Sequence, residues 1–111
     1  MTPIRLTHAT ALTLQALASG ACHGFQIMDM TDLKSGTVYP VLRRLEREGA
    51  VESTWEDEDA ARAAGRRRRR VYALTRRGAV LAEEARQRLA NTARLLAGGG
   101  LDVDPAGAGG A

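Results

Sequence analysis

The sequence predicts a mainly α-helical chain with one small β-hairpin, and three observations carry that prediction. Apolar residues recur at helical spacing in three separate stretches of the 111 residues. Two short segments, 51–55 and 71–74, are rich in β-branched and aromatic residues, as strands are. A polar loop ending in five consecutive arginines joins those two segments. A chain of this length makes one small domain and excludes folds of about 200 residues or more, such as an α/β barrel.

Each element has its own signal. Thr7 can cap a first helix, in which Leu6, Ala9, Leu12 and Ala16 form a stripe, Leu14, Leu17 and Ala18 widen it, and Gly20 stops it. Phe25, Ile27, Met28 and Met30 fit a second, brief helix with no clear cap. Ser35 is the expected N-cap of a third helix, with Pro40 in its first turn or just beyond, where a missing N–H costs little. There Val38, Leu42 and Leu45 repeat on one face with Val41 beside them, and Gly49 is the stop. The opposite face shows Thr37, Arg43, Arg44 and Arg47, so this helix is apolar behind and basic in front, the shape of one that enters a nucleic-acid groove. Residues 56–65 are read as a loop. Thr75 caps a long last helix to about Ala97, striped by Leu81, Ala85, Leu89, Thr92 and Leu96. That stripe exceeds what one small core needs, so Leu81, Ala85, Leu89 and Leu96 are expected to meet a second copy of the chain. Residues 98–111 are rich in Gly and Ala and are expected to be a disordered tail.

Three helices, a two-stranded hairpin and a long final helix make a winged helix-turn-helix over 1–74 and a dimerisation helix over 75–97. Such a fold offers one helix to the major groove and a basic wing to the backbone or minor groove. The charge agrees. The net value is only +3, but residues 1–61 hold five Lys/Arg against nine Asp/Glu, while 62–94 hold eleven Arg against Glu83 and Glu84. The abundance of Arg over Lys by itself reflects composition; its clustering is what suits a polyanion.

The candidate DNA contacts are Lys34, Ser35, Thr37, Tyr39, Arg43, Arg44 and Arg47 around the third helix, and Arg66, Arg67, Arg68 and Arg69 in the wing. Ser35 has a competing role as helix cap, and Tyr39 as a packing residue at the helix edge. Arg43 and Arg47, four apart, repel each other on a helix, which favours an external ligand for Arg43. Strand alternation sends neighbouring arginines to opposite faces, so not all of the run can reach a duplex. Trp55 is expected to pack against the hairpin or core, the alternative being an aromatic wall in a dimer-interface pocket.

Other chemistries lack a constellation. Cys22 and His23 are adjacent, point apart, and have no third group to orient them. The acidic run 56–59 lacks the regular spacing and turn glycine of a hard-metal site. The sequence contains no CxxC, HExxH, GxGxxG or phosphate-loop motif, so no enzyme activity, metal or cofactor is expected. No stretch is apolar enough to span a membrane, the N-terminus lacks a signal-peptide pattern, and a lone Cys22 forms no intrachain disulfide, so a cytoplasmic location is expected.

The blocks His23-Gly24-Phe25, residues 35–49 (SGTVYPVLRRLEREG) and residues 72–78 (YALTRRG) resemble the PadR family of transcriptional regulators over roughly 5–97. The resemblance implies a dimeric winged-helix DNA-binding protein, usually a repressor, dimerised largely by its last helix with help from the first. It also implies that residues 35–39 open the recognition helix and that the arginine run belongs to the wing. Two features depart from the family pattern: only nine residues separate Phe25 from Ser35, and the wing loop is acidic in its first half. The last helix is single, as in the shorter members.

The expected function is therefore a homodimeric, sequence-specific repressor of an inverted-repeat operator in double-stranded DNA, with any small-molecule effector unidentified. The rival is a winged-helix protein-interaction module acting on another regulator, suggested by the short second helix and the acidic first half. RNA binding is weaker, because single-stranded RNA readers present stacking aromatics and this chain has only four.

Overall fold

A computed structural model describes residues 4–98. The order is α1 (His8–Ala18), α2 (Gly24–Thr31), α3 (Ser35–Arg47), β1 (Val51–Trp55), α4 (Glu58–Ala63), β2 (Arg70–Leu74) and α5 (Arg76–Leu96). The mainly helical class with one hairpin is thus observed. The expected tail lies, from residue 99 onward, outside the described residues.

Caps decide where the helices begin. Thr7 accepts the Thr10 N–H at 3.1 Å, and Thr75 accepts the Gly78 N–H at 3.1 Å, both as expected. Ahead of α2, the Gln26 amide oxygen reaches back to the N–H groups of Cys22 at 2.8 Å and His23 at 3.2 Å. That reach makes a helix of eight residues, which hydrophobic spacing alone marked only weakly. Two expectations need correction. Ser35 is not the N-cap of α3: Lys34 holds that extended position, no side chain caps the helix, and Ser35 is already helical. The segment 56–65 is not all loop either. Asp57 accepts the Ala60 N–H at 3.0 Å, Glu58 and Asp59 complement the dipole of the first turn, and alanines extend one short helix.

The core forms where α1, α2 and α3 meet the base of the hairpin. Leu14, Ile27, Val38, Leu42, Leu45 and Val51 are its largest fully buried apolar side chains. Asp32 ends α2 in a left-handed conformation (φ 62°), which short polar residues tolerate. Only Leu33 and Lys34 then remain before α3, so the two helices form a tight helix-turn-helix. The strands pair antiparallel, Val51 with Leu74 through Trp55 with Arg70.

The first half of α5 packs along α1. Ala82 and Ala85 are buried there, with Leu81 and Leu89 partly buried against the same core. A Cβ built on Gly78 would lie 1.9 Å from the Ala50 carbonyl oxygen, so glycine allows α5 to cross the start of β1. At 21 residues α5 is about 31 Å long, against about 16 Å for α1 with 11. Its last turns overhang, and Leu95 and Leu96 are exposed.

Candidate nucleic-acid interface

The buried face of α3 fixes its outer face. Val38, Val41, Leu42 and Leu45 all point into the core, so helical geometry sends Arg43 and Arg47 the other way. Lys34, Ser35 and Thr37 are exposed at the start of the helix. Among the described residues no carboxylate pairs with Lys34, Arg43 or Arg47, and these cations stand open to solvent.

Two predicted residues sit differently. Arg44 turns to the flank of α3, is half-buried, and donates through Nη2 to the Thr10 hydroxyl of α1. It braces the helix against the core. Tyr39 lies at the helix edge over Gly24: a Cβ on Gly24 would come within 2.4 Å of the Tyr39 hydroxyl oxygen. The ring thus seats α3 against the first residue of α2 and leaves its outer edge exposed.

The wing arginines are sorted by their partners. Glu56, with a side chain only 13% exposed, accepts from both terminal nitrogens of Arg66 and lies 3.5 Å from Nη2 of Arg69. The Arg66 hydrogen bonds are the main reason its carboxyl is pulled down to about 2, against burial that pushes it up. Arg68 donates through Nε to the Glu56 carbonyl at 3.0 Å. Arg67 is exposed and has no side-chain ion pair among the described residues. Glu56 is therefore an internal counterweight to the arginine run, while Glu58 and Asp59 pair with Arg62 within the short helix.

Sequence reasoning did not join Arg70, Ser53 and Glu46, gave Glu56 no partner, and expected Trp55 to pack against the hairpin or core, whereas it is 55% exposed with Arg68 and Arg70 over its ring. Arg70 donates to the Ser53 hydroxyl at 2.9 Å, Ser53 donates to Glu46 at 2.7 Å, and Glu46 lies 3.8 Å from Arg70. Tyr72 is buried beside them, and burial raises its phenol pKa. The hairpin register was the one signal that could have found this group: extending β2 by a residue places Arg70 opposite Trp55. Of the residues expected at a dimer contact, Ala85 is fully buried within its own chain, Leu81 and Leu89 are partly buried there, and Leu96 is 84% exposed.

A helix-turn-helix, a basic outer face on its second helix and a two-stranded basic wing define a winged helix-turn-helix regulator. The sequence profile of the transcriptional regulator PadR-like family matches residues 13–84, and the chain belongs to that family. Its fold is similar to a PadR family transcription regulator from hypervirulent Clostridium difficile R20291, at 25% identity and a TM-score of 0.65 over 81% of this chain and 95% of that one. It is also similar to BpsR of Bordetella bronchiseptica, whose DNA binding is regulated by 6-hydroxynicotinic acid, at 28% identity and a TM-score of 0.66 over 96% and 74% of the two chains. Lactococcus lactis ZitR in complex with DNA shares the fold at 19% identity and a TM-score of 0.59, over 86% of this chain and 62% of ZitR. No curated protein matches the chain in sequence. No described helix is long and apolar enough to cross a membrane.

Proposed function

We propose that the chain is a cytoplasmic, homodimeric repressor that binds an inverted repeat in double-stranded DNA. The observation that carries this reading is the outer face of α3, where Arg43 and Arg47 have no ion-pair partner among the described residues, on a helix whose back is locked in the core. Guanidinium groups so placed can donate two hydrogen bonds to the major-groove edge of guanine. Lys34, Ser35 and Thr37 lie where phosphates flank the groove, and Arg67 and Arg68 serve the backbone from the wing. The overhanging end of α5, with Leu95 and Leu96, is the dimer contact, joined by the partly exposed edges of Leu81 and Leu89. Paired subunits would set two α3 helices about 34–36 Å apart, one turn of DNA. The chain needs no cofactor and performs no catalysis in this reading. Its similarity to BpsR makes a small aromatic acid a reasonable first effector to try.

Selection of bound duplexes from genomic fragments, followed by footprinting, tests it. Two protected half-sites one turn apart are expected, and Arg43→Ala with Arg47→Ala should abolish the selection. A wild type that binds every duplex equally, with no fragment selected, would sink the reading, as would selection undiminished in the double variant.

A further inference from the structure

Trp55 is the chain's single tryptophan and is 55% exposed at the outer end of β1. Its indole carries two cations. The guanidinium carbon of Arg70, its partner across the hairpin, lies 5.1 Å from the ring centroid, and that of Arg68 lies at 5.8 Å. Both distances are within the range at which a cation is attracted to an aromatic face. Two guanidinium groups drawn to one ring repel each other, so each needs further anchorage. Arg70 has it in Ser53 and Glu46. Arg68 has it in the Glu56 carbonyl, which takes its Nε; the two terminal nitrogens of Arg68 have no partner among the described residues.

We infer that Trp55 is a positioning residue of the wing, holding Arg68 with its terminal nitrogens ready for a DNA phosphate. The inference rests on the DNA-binding reading above and deepens it. A free arginine loses much rotamer freedom when it docks; one already oriented against an indole and hydrogen-bonded at Nε loses less. Its planar fork then meets two phosphate oxygens at once. The same indole joins Arg70, and Arg70 reaches α3 through Ser53 and Glu46, so the docking arginine is referenced to the groove helix. Arg70 also offsets the Glu46 carboxylate, which would otherwise repel phosphates beside Arg43 and Arg47.

Phosphate contacts are independent of base sequence, so a mixed-sequence DNA duplex at low salt is a sufficient probe. Trp55→Leu should weaken binding by about tenfold per dimer and lower the slope of log affinity against log salt by about 0.9 for each phosphate lost. Its melting temperature should stay at the wild-type value. Trp55→Phe, which keeps an aromatic face, should recover most of the loss. Arg68→Gln should cost as much as Trp55→Leu in the wild type and nothing further in the Trp55→Leu background. Additive losses, or a Trp55→Phe variant as weak as Trp55→Leu, would overturn this inference while leaving DNA binding intact. A wild-type chain that does not bind the duplex would overturn the DNA-binding reading and this inference with it. Should Trp55→Leu unfold the chain, Trp55→Thr, a strand former without an aromatic face, takes its place in the cycle: coupled losses support the inference and additive losses overturn it.

Discussion

Helix α3 and the wing present the same cation on two kinds of scaffold. On α3 the direction of each arginine follows from helical phase. Val38, Val41, Leu42 and Leu45 are buried, so Arg43 and Arg47 face outward whatever they meet. In the wing no such frame exists for residues 66–69, which precede β2. There the neighbours decide: Glu56 holds Arg66 and Arg69, the Glu56 carbonyl and Trp55 hold Arg68, and Arg67 has no side-chain ion pair among the described residues. Equal charge in the sequence thus becomes unequal availability in the fold.

The comparison can be broken most severely at the frame. Leu42→Ala should cost about 2–5 kcal/mol, seen as a large fall in melting temperature, with DNA binding lost alongside folding; a chain that keeps its stability would show that burial does not orient α3. Next in size, Arg43→Ala or Arg47→Ala should each cost about 1–3 kcal/mol of specific binding at an unchanged melting temperature. Arg44→Ala should do the reverse. Its bond to Thr10 is a structural one, so thermal unfolding should shift by about 1 kcal/mol while the affinity of the folded protein for DNA holds. In the wing, Arg67→Ala should reduce binding uniformly across sequences and lower the salt slope by about 0.9, whereas Arg66→Ala should leave the slope nearly unaltered because Glu56 already engages that charge.

The smallest effect is one of pH. Glu56 titrates at about 2 rather than its ordinary 4.5, a folded-state pKa depressed below the unfolded one. Its stabilisation is then fully present above pH 4.5 and is lost as pH falls toward 2. An NMR titration of the Glu56 carboxyl should place its midpoint near 2; a midpoint near 4.5 would mean that the wing is not closed by this ion pair.

Most of the fold was legible because its determinants are local. Caps at Thr7 and Thr75, the apolar stripe of α3 and the short apolar strands each lie within a few residues. Family membership was legible for the same reason, through blocks around Gly24, residues 35–49 and residues 72–78. The sequence is least legible where a contact distant along the chain adds to a local rule, or where one local pattern admits two readings. Arg44 occupies the polar half of α3 by spacing, yet Thr10, 34 residues earlier, draws it inward. Ala85 fits the stripe of α5, yet α1 covers it. Asp57, Glu58 and Asp59 read as solvated loop, although an Asp cap followed by acidic residues and alanines is also a helix signal.

The contact between Gly24 and Tyr39 has a consequence for anyone redesigning this regulator. A foreign recognition helix grafted onto the chain changes what stands at position 39, and with it the seat on which α2 rests. With the Tyr39 ring where it lies, a Cβ at 24 would strike it and the ring would have to shift; a small residue at 39 would leave a gap that a larger side chain at 24 could fill. The two positions, fifteen residues apart, therefore behave as one cassette, to be varied as a pair whenever the outer face of α3 is redesigned.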